Sequence, residues 1–230
     1  MKNKQLSKMD KEIENTIIDP IVKTSVKDRP PSKLESSSQY EKRLKKSYLK
    51  AFHDFENRLE DAIHILDRQG KWPHDPRFDK AREKLKTHPF SEEEFLKAPT
   101  LQEILHFTDE ELMSFYTIGV EMFSKDAYAE ASNIFLLLTQ FNPRVPSFWG
   151  ALGAAEERSG GLQEAMMAYV FAAELDETSL DNYFHGARCL VFLHNNEDAK
   201  KILNRAIERA EENAQLRTWK DKAIKILEKI

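Results

Sequence analysis

A spacing of 34 residues recurs three times in the second half of the chain. When the sequence is shifted by this spacing against itself, large residues fall on large ones and small residues on small ones in most of five columns. Read through the three units, the columns are Phe115, Trp149 and Tyr183; Gly119, Gly153 and Ala187; Ala131, Ala165 and Ala199; Phe135, Tyr169 and Leu203; and Leu138, Ala172 and Ala206. A period of this length indicates a stack of helical hairpins.

The five columns match the tetratricopeptide pattern. Small residues at the eighth and twentieth positions of each unit let two antiparallel helices approach closely. The aromatic residue at the twenty-fourth position fills the space between one helix pair and the next. We therefore predict an all-α fold, a tetratricopeptide-repeat solenoid of three helix pairs with a C-terminal capping helix and an N-terminal helical extension. The repeats are assigned to residues 112–145, 146–179 and 180–213, and the cap to residues 214–230.

The N-terminal part of the chain differs in charge from the rest. Residues 1–50 carry 13 Lys and Arg against seven Asp and Glu, which gives +6, whereas the whole chain carries −4. Residues 1–38 are polar and are predicted to form a disordered basic tail, although apolar residues among positions 13–22 leave a partner-induced helix open. An amphipathic helix is expected at residues 39–70, followed by a linker at 71–90 and the repeat domain at 91–230.

Two capping boxes are predicted just before the first repeat. Ser91 is followed three residues later by Glu94, and Thr108 in the same way by Glu111. A hydroxyl and a carboxylate at this spacing can each bind a free backbone N–H of the first helical turn. Between the two boxes, Thr100 is expected to open a short helix.

The composition excludes several classes of protein. No run of about 18 apolar residues is present, so no membrane-spanning helix is expected, and no secretory signal is expected at the N-terminus. The single cysteine, Cys189, cannot form an internal disulfide, which fits a reducing cytosol. Cys189 is expected to be buried and inert, and His185 to be a packing or rim residue. We found no catalytic motif, metal site or cofactor site, and we predict a non-enzymatic binding scaffold.

The predicted binding surface is the concave face of the solenoid. Five positions in the first helix of each repeat (2, 5, 9, 12 and 13) are expected to point into it. There, Tyr116 and Phe123 could hold apolar anchors of an extended peptide, while Gly150 and Ala154 leave room for its backbone. For Phe123 and Phe184, packing between helices explains the residue type equally well.

From Phe95 to its C-terminus, the chain resembles the class II chaperones of bacterial type III secretion, the SycD/LcrH type. The resemblance rests on Phe95-Leu96-Lys97 and on residues 111–135, 148–169 and 182–191, the last containing the order Phe-His-x-Ala-x-Cys-Leu. It implies a cytoplasmic chaperone with a role in virulence. Such a chaperone binds hydrophobic translocator proteins in a concave groove and keeps them soluble and secretion-competent. Many members of the family form homodimers.

The resemblance also assigns individual positions. Tyr116 and Tyr128 match aromatic residues of the family, and Phe123 stands where a tyrosine is usual. Phe141 and Leu152 match groove or groove-supporting positions. Together with the repeat positions, this gives a candidate peptide-binding groove formed by Tyr116, Val120, Phe123, Tyr128, Phe141, Gly150, Leu152, Ala154, Phe184 and Arg188.

Two other functions are compatible with the residues alone. One is a tetratricopeptide adaptor that stays in a stable protein assembly. The other is a regulator that senses free client while its basic tail contacts nucleic acid or a transcription factor. The basic tail could contact nucleic acid or anionic lipid, but its composition favours a solvated, mobile terminus, so we expect neither a membrane nor nucleic acid as a partner.

Overall fold

The computed structural model describes residue 15 and residues 18–28, 36–72, 100–176, 179–212, 217–228 and 230. Within these residues the regular structure is helical and contains no strand. The helices, numbered in chain order, are α1 (Asp19–Asp28), α2 (Ser37–Arg68), α3 (Leu101–Leu105), α4 (Asp109–Ser124), α5 (Tyr128–Phe141), α6 (Pro146–Ser159), α7 (Leu162–Leu175), α8 (Asp181–Phe192), α9 (Asn196–Glu212) and α10 (Arg217–Leu227).

The chain divides into two compact units, Met1–Glu60 and Asp61–Ile230. In the first unit, Ile18 and Val22 are buried against apolar residues of α2 that include Leu44 and Tyr48. Helix α1 therefore lies inside the segment 1–38, for which we expected disorder. It differs from that expectation because its apolar side chains are covered by the apolar stripe of α2.

Helices α4 to α9 of the second unit form the three predicted pairs, and each helix packs against the next one along the chain. In the first two pairs, the ring at position 24 lies directly on a glycine of the partner helix. A Cβ atom built on Gly119 would lie 2.6 Å from the ring of Phe135, and one on Gly153 would lie 2.7 Å from the ring of Tyr169. Only glycine permits this contact without displacing the ring. The prediction of an all-α solenoid is confirmed.

The aromatic residue at the twenty-fourth position fills two spaces rather than one. Tyr169 lies on Gly153 of its own pair. It also stacks on His185 of the next pair, with ring centroids 5.0 Å apart, and shares a buried cluster with Cys189. The expectation that this residue only joins neighbouring pairs was incomplete, because the absent glycine side chain exposes the first helix of its own pair to the ring.

The ends of the helices follow local sequence signals. Thr100 with Glu103, and Thr108 with Glu111, form complete capping boxes at the starts of α3 and α4. Helix α6 ends at Gly160, whose φ of 94° lies in the left-handed region that glycine adopts readily. At the C-terminal end, α10 packs on α9 and buries Ala223 within the last hydrophobic cluster.

The second unit includes an aromatic cluster formed partly by residues that precede the repeats. The ring of Trp72 lies 6.1 Å from that of Phe115 and 6.2 Å from those of Phe107 and Phe141. This compact unit therefore begins before the domain boundary that we expected at residue 91. Residues 73–99 lie outside the described residues. They contain most of the expected linker, the Ser91 capping box and the Phe95-Leu96-Lys97 match.

Candidate peptide-binding groove

The first helices of the three pairs, α4, α6 and α8, contact one another through their side chains. The rings of Tyr116 on α4 and Phe148 on α6 have centroids 6.0 Å apart. Glu157 on α6 forms an ion pair with Arg188 on α8, at 2.7 Å. We call the exposed face of these three helices the groove face, because the sequence predicts it to be the concave side of the solenoid.

The α4 part of the groove face is apolar. Met113 is 52% exposed and Val120 is 45% exposed, which is unusual for such large apolar side chains. Tyr116 and Phe123 lie beside them and are half-buried. Tyr116 packs on the buried ring of Phe135, with ring centroids 5.4 Å apart, so one side of the Tyr116 ring is anchored while the rest is accessible.

A polar rim closes one end of this apolar surface. Tyr128 meets Phe123 edge to face, with ring centroids 5.0 Å apart, and the guanidinium of Arg158 lies 4.5 Å above the centroid of the Tyr128 ring. The Tyr128 hydroxyl donates a hydrogen bond to Asp126 and accepts one from Arg158. The hydrogen bond to Asp126 is the main cause that raises the pKa of Tyr128.

Small residues form the middle of the groove face, on α6. Gly150 and Ala154 are both half-buried. A Cβ atom on Gly150 would meet only one neighbouring atom, Oδ1 of Asn182, at 3.4 Å. Glycine is therefore not demanded here by packing between helices, in contrast to Gly119 and Gly153. The missing side chain leaves space above the α6 backbone.

The α8 part of the groove face is polar and internally paired. Arg188 donates through Nε and Nη2 to the two carboxylate oxygens of Glu157, at 2.9 and 2.8 Å. The hydroxyl of Tyr169 donates to the same carboxylate at 2.9 Å. Burial, reinforced by Glu157, raises the pKa of Tyr169. The guanidinium of Arg188 is thus already engaged by a carboxylate of its own chain.

Two further titratable groups adjoin this ion pair. His185 lies within 2.9 Å of Arg188, and its pKa is lowered, first by burial and then by the neighbouring guanidinium. Cys189 is buried, and burial raises the pKa of its thiol to about 11. A thiol with this pKa is protonated and unreactive at neutral pH, as the sequence predicted.

The structure brings most of the predicted groove residues together, but not all of them reach the surface. Tyr116, Val120, Phe123, Tyr128, Gly150, Ala154 and Arg188 are exposed or half-buried. Phe141 and Leu152 are buried and have no surface to offer a ligand. Phe184 is half-buried and packs on the clusters around Tyr183 and Leu190. Phe141, Leu152 and Phe184 therefore have a supporting position.

The ion pair between Glu157 and Arg188 was not predicted from the sequence. Glu157 was assigned to the groove face by its repeat position, yet its partnership with Arg188 and Tyr169 was not predicted. The available signal was the replacement of Phe123 by Glu157 at position 12 of successive repeats. A carboxylate at a half-buried position requires donors nearby.

No protein-family model matches the chain, and no curated protein sequence matches it. Solved structures do match. A CopN–Scc3 complex aligns at 24% identity and a TM-score of 0.55, covering 71% of this chain and 96% of that one. A T3SS complex from Aeromonas hydrophila aligns at 26% identity and a TM-score of 0.52, covering 60% and 91%.

A third match is the type III secretion translocator chaperone SycD from Yersinia enterocolitica, at 21% identity and a TM-score of 0.50, covering 58% of this chain and 99% of SycD. The chain has the fold of this chaperone. Each similar chain is matched over more than nine tenths of its length, whereas 29% to 42% of the present chain lies outside these matches.

The described residues hold no group of three or more His, Cys, Asp or Glu side chains placed to bind a metal ion. Among the same residues, no helix is both long and apolar enough to cross a bilayer. What the groove face offers is a set of apolar side chains beside a small-residue floor, an arrangement that can bind a peptide through shape and hydrophobic contact.

Proposed function

We propose that this protein is a cytoplasmic chaperone of a bacterial type III secretion system, which binds a hydrophobic translocator protein and keeps it soluble and secretion-competent. The observation that carries the proposal is the exposure of Met113 and Val120 beside Tyr116 and Phe123. Contiguous apolar surface of this kind marks a binding site. The fold shared with the translocator chaperone SycD supports the same function.

The client segment binds in an extended conformation along α4 and α6. Its apolar side chains insert between the accessible edges of Tyr116 and Phe123, and its backbone crosses the space left by Gly150 and Ala154. The Glu157–Arg188 ion pair bounds the site on the α8 side. Because Glu157 and Arg188 neutralise each other, the α8 end of the groove contributes a steric boundary and no net charge. Specificity therefore depends on the apolar anchors.

The charge of the repeats suits a chaperone for apolar proteins. Residues 112–213 carry eight Lys and Arg against 15 Asp and Glu, a net charge of −7. A net charge this far from zero opposes self-association and keeps a protein dispersed while it holds an apolar client. A homodimer, as implied by the family resemblance, is included in the proposal and is testable by sedimentation equilibrium.

The decisive experiment is co-purification of the full chain with the translocator encoded in the same gene cluster. Tyr116→Ala combined with Phe123→Ala is expected to weaken client binding at least about tenfold, since both substitutions remove anchor contacts. Affinity is measured by titration with fluorescent peptides that together cover the sequence of the co-purified client.

A matched control removes an exposed apolar side chain elsewhere, by Ile224→Ala on α10. This variant is expected to bind the client as the wild type does. Equal binding by the double variant and the wild type would refute the proposed groove. A collapse of the thermal unfolding transition in the double variant would show instead that the two rings are core residues.

A further inference from the structure

A second exposed apolar surface lies on α7, away from the groove face. Met167, Phe171 and Leu175 follow one another at intervals of four residues and are 50%, 54% and 43% exposed. Side chains at this spacing lie on one side of a helix. Trp149 of α6 stacks on Phe171, with ring centroids 4.9 Å apart. We call these four residues the outer patch.

The first repeat shows what the equivalent surface looks like when it is covered. The residues 34 positions before Phe171 and Leu175 are Leu137 and Phe141, which are only 3% and 1% exposed. Phe107 lies 4.7 Å from Phe141 and Trp72 lies 6.2 Å from it, measured between ring centroids. The chain itself therefore covers the first repeat with aromatic side chains that precede the solenoid.

In the third repeat, the equivalent surface carries charged residues in place of apolar ones. The residues 34 positions after Met167, Phe171 and Leu175 are Lys201, Arg205 and Arg209. Lys201 pairs with Asp198 at 2.6 Å, and Arg205 pairs with Glu174 of α7 at 2.8 Å. The equivalent surface is therefore apolar and covered in the first repeat, apolar and exposed in the second, and charged in the third.

The charge around the outer patch indicates which occupant fits it. Of the two charged residues of α7, Glu174 is neutralised by Arg205 and Arg209 of α9, whereas Glu164 is acidic and exposed. The three repeats together carry a net charge of −7. Two copies joined through their α7 helices would bring together two Glu164 carboxylates and two repeat stacks of net charge −7, which like-charge repulsion disfavours. A partner with basic residues beside its apolar anchors meets the same surface with complementary charge.

We propose that the outer patch is a docking site for an amphipathic helix of a second partner protein, with an aromatic or leucine row flanked by Lys or Arg. The row packs on Phe171 and Trp149 as Trp72 and Phe107 pack on Phe141. The site is separate from the groove, so both can be occupied together.

The test uses the full chain and two labelled 18-residue model helices, each with one Trp and a leucine row, and with either Lys or Glu at the polar positions. The variant Met167→Lys, Phe171→Arg and Leu175→Arg installs the residues of the third repeat. Fluorescence anisotropy is expected to show the Lys helix binding the wild type at least about tenfold more tightly than this variant, and more tightly than the Glu helix binds the wild type.

Three controls separate the outer patch from other apolar surface. Ile224→Lys places a charge on an exposed apolar position of α10 and is expected to leave binding unchanged. Tyr116→Ala with Phe123→Ala is also expected to leave it unchanged, because these residues belong to the groove. Phe171→Ala, a milder change, is expected to weaken binding less than the triple variant does.

The proposal is overturned if the triple variant binds the Lys helix as the wild type does, or if the Lys and Glu helices bind equally. It is also overturned if sedimentation equilibrium shows a wild-type dimer that the triple variant abolishes, because the occupant is then a second copy. Loss of Lys-helix binding in the groove variant alone would place the peptide in the groove and refute a separate site.

Discussion

The first and second helix pairs share one backbone arrangement and differ in chemistry at two equivalent positions. Position 12 is Phe123 in the first pair and Glu157 in the second, and position 24 is Phe135 and Tyr169. In both pairs the ring at position 24 rests on a glycine, at nearly the same distance from the site of the missing Cβ atom. The repeat therefore specifies the shape of the pair independently of what the pair presents to a ligand.

The second pair is polar because its residues at positions 12 and 24, Glu157 and Tyr169, are hydrogen-bonded to each other. The carboxylate of Glu157 receives the Tyr169 hydroxyl and the Arg188 guanidinium. In the first pair, Phe123 packs edge to face with Tyr128 and needs no donor. One hydroxyl and one carboxylate thus divide the groove face into an apolar half and a polar half.

The largest expected effect comes from filling the space that both pairs share. Gly119→Val and Gly153→Val are each expected to lower the free energy of unfolding by about 3 kcal/mol, because the new side chain meets the ring of Phe135 or Tyr169. Urea denaturation measures the change. Gly150→Ala is the matched control and is expected to be neutral or slightly stabilising, since its Cβ atom has room. Similar losses at all three glycines would contradict the packing described.

The next effect should distinguish the first pair from the second. Trp72 packs with Phe107, Phe115 and Phe141, which belong to the first pair or lie just before it. Trp72→Ala is therefore expected to lower the free energy of unfolding by about 2 kcal/mol, as for a half-buried aromatic side chain. The exposed neighbour Lys71, changed to Ala, serves as the control and should have no effect.

A pair of truncations extends the same prediction. Deletion of residues 1–60 is expected to leave client binding intact, whereas deletion of residues 1–90 removes Trp72 and should lower the melting temperature of the remaining chain. Equal melting temperatures for the two truncated proteins would show that the first pair does not need this segment.

An exchange of one hydroxyl between the pairs is expected to have a smaller effect. Tyr169→Phe removes one donor to Glu157 and should lower the free energy of unfolding by about 1 kcal/mol. Phe135→Tyr adds a buried hydroxyl where position 12 offers a phenyl ring, at a similar cost. Adding Phe123→Glu to Phe135→Tyr should recover part of that loss. A double-mutant cycle without this coupling would contradict the proposed link between positions 12 and 24.

The smallest expected effect is a pH dependence confined to the polar half. Burial and Arg188 lower the pKa of His185, while Glu157 and Asp181 partly oppose them. The unfolded chain therefore binds a proton to His185 more readily, so the contribution of this residue to stability falls as the pH drops below its ordinary pKa of about 6.5. The difference in unfolding free energy between the wild type and His185→Gln, measured from pH 7.5 to pH 5, should shrink with falling pH. A difference that grows with falling pH would show that folding raises the pKa of His185 instead of lowering it.

The sequence was sufficient for features that depend on spacing. The columns containing Gly119, Ala131 and Phe135 predict both the register of each pair and its close contact, because sterics at a fixed period leave few alternatives. Thr100 and Thr108 likewise predict helix starts from local hydrogen bonding. The apolar side chains of the groove face follow from the same periodicity.

Features that depend on neighbouring units were not predictable in the same way. Phe141 was assigned to the groove by resemblance, but Trp72, 69 positions away, helps to bury it. The Glu157–Arg188 ion pair depends on how the third helix pair is rotated relative to the second. The 34-residue period does not specify that rotation. Helix α1 is helical because α2 covers its apolar side chains, and composition gives no measure of that contact.

The buried position of Cys189 makes the chain's only thiol a probe of local opening between the second and third helix pairs. Cys189 shares its cluster with Ala165 and Tyr169 of the preceding pair. A thiol-specific reagent can reach the sulfur only when the third pair separates from the second, because the closed form has neither access nor thiolate. The labelling rate of the unmodified protein therefore reports how often the solenoid opens at this joint, and its change on adding a ligand reports which partner holds the joint closed.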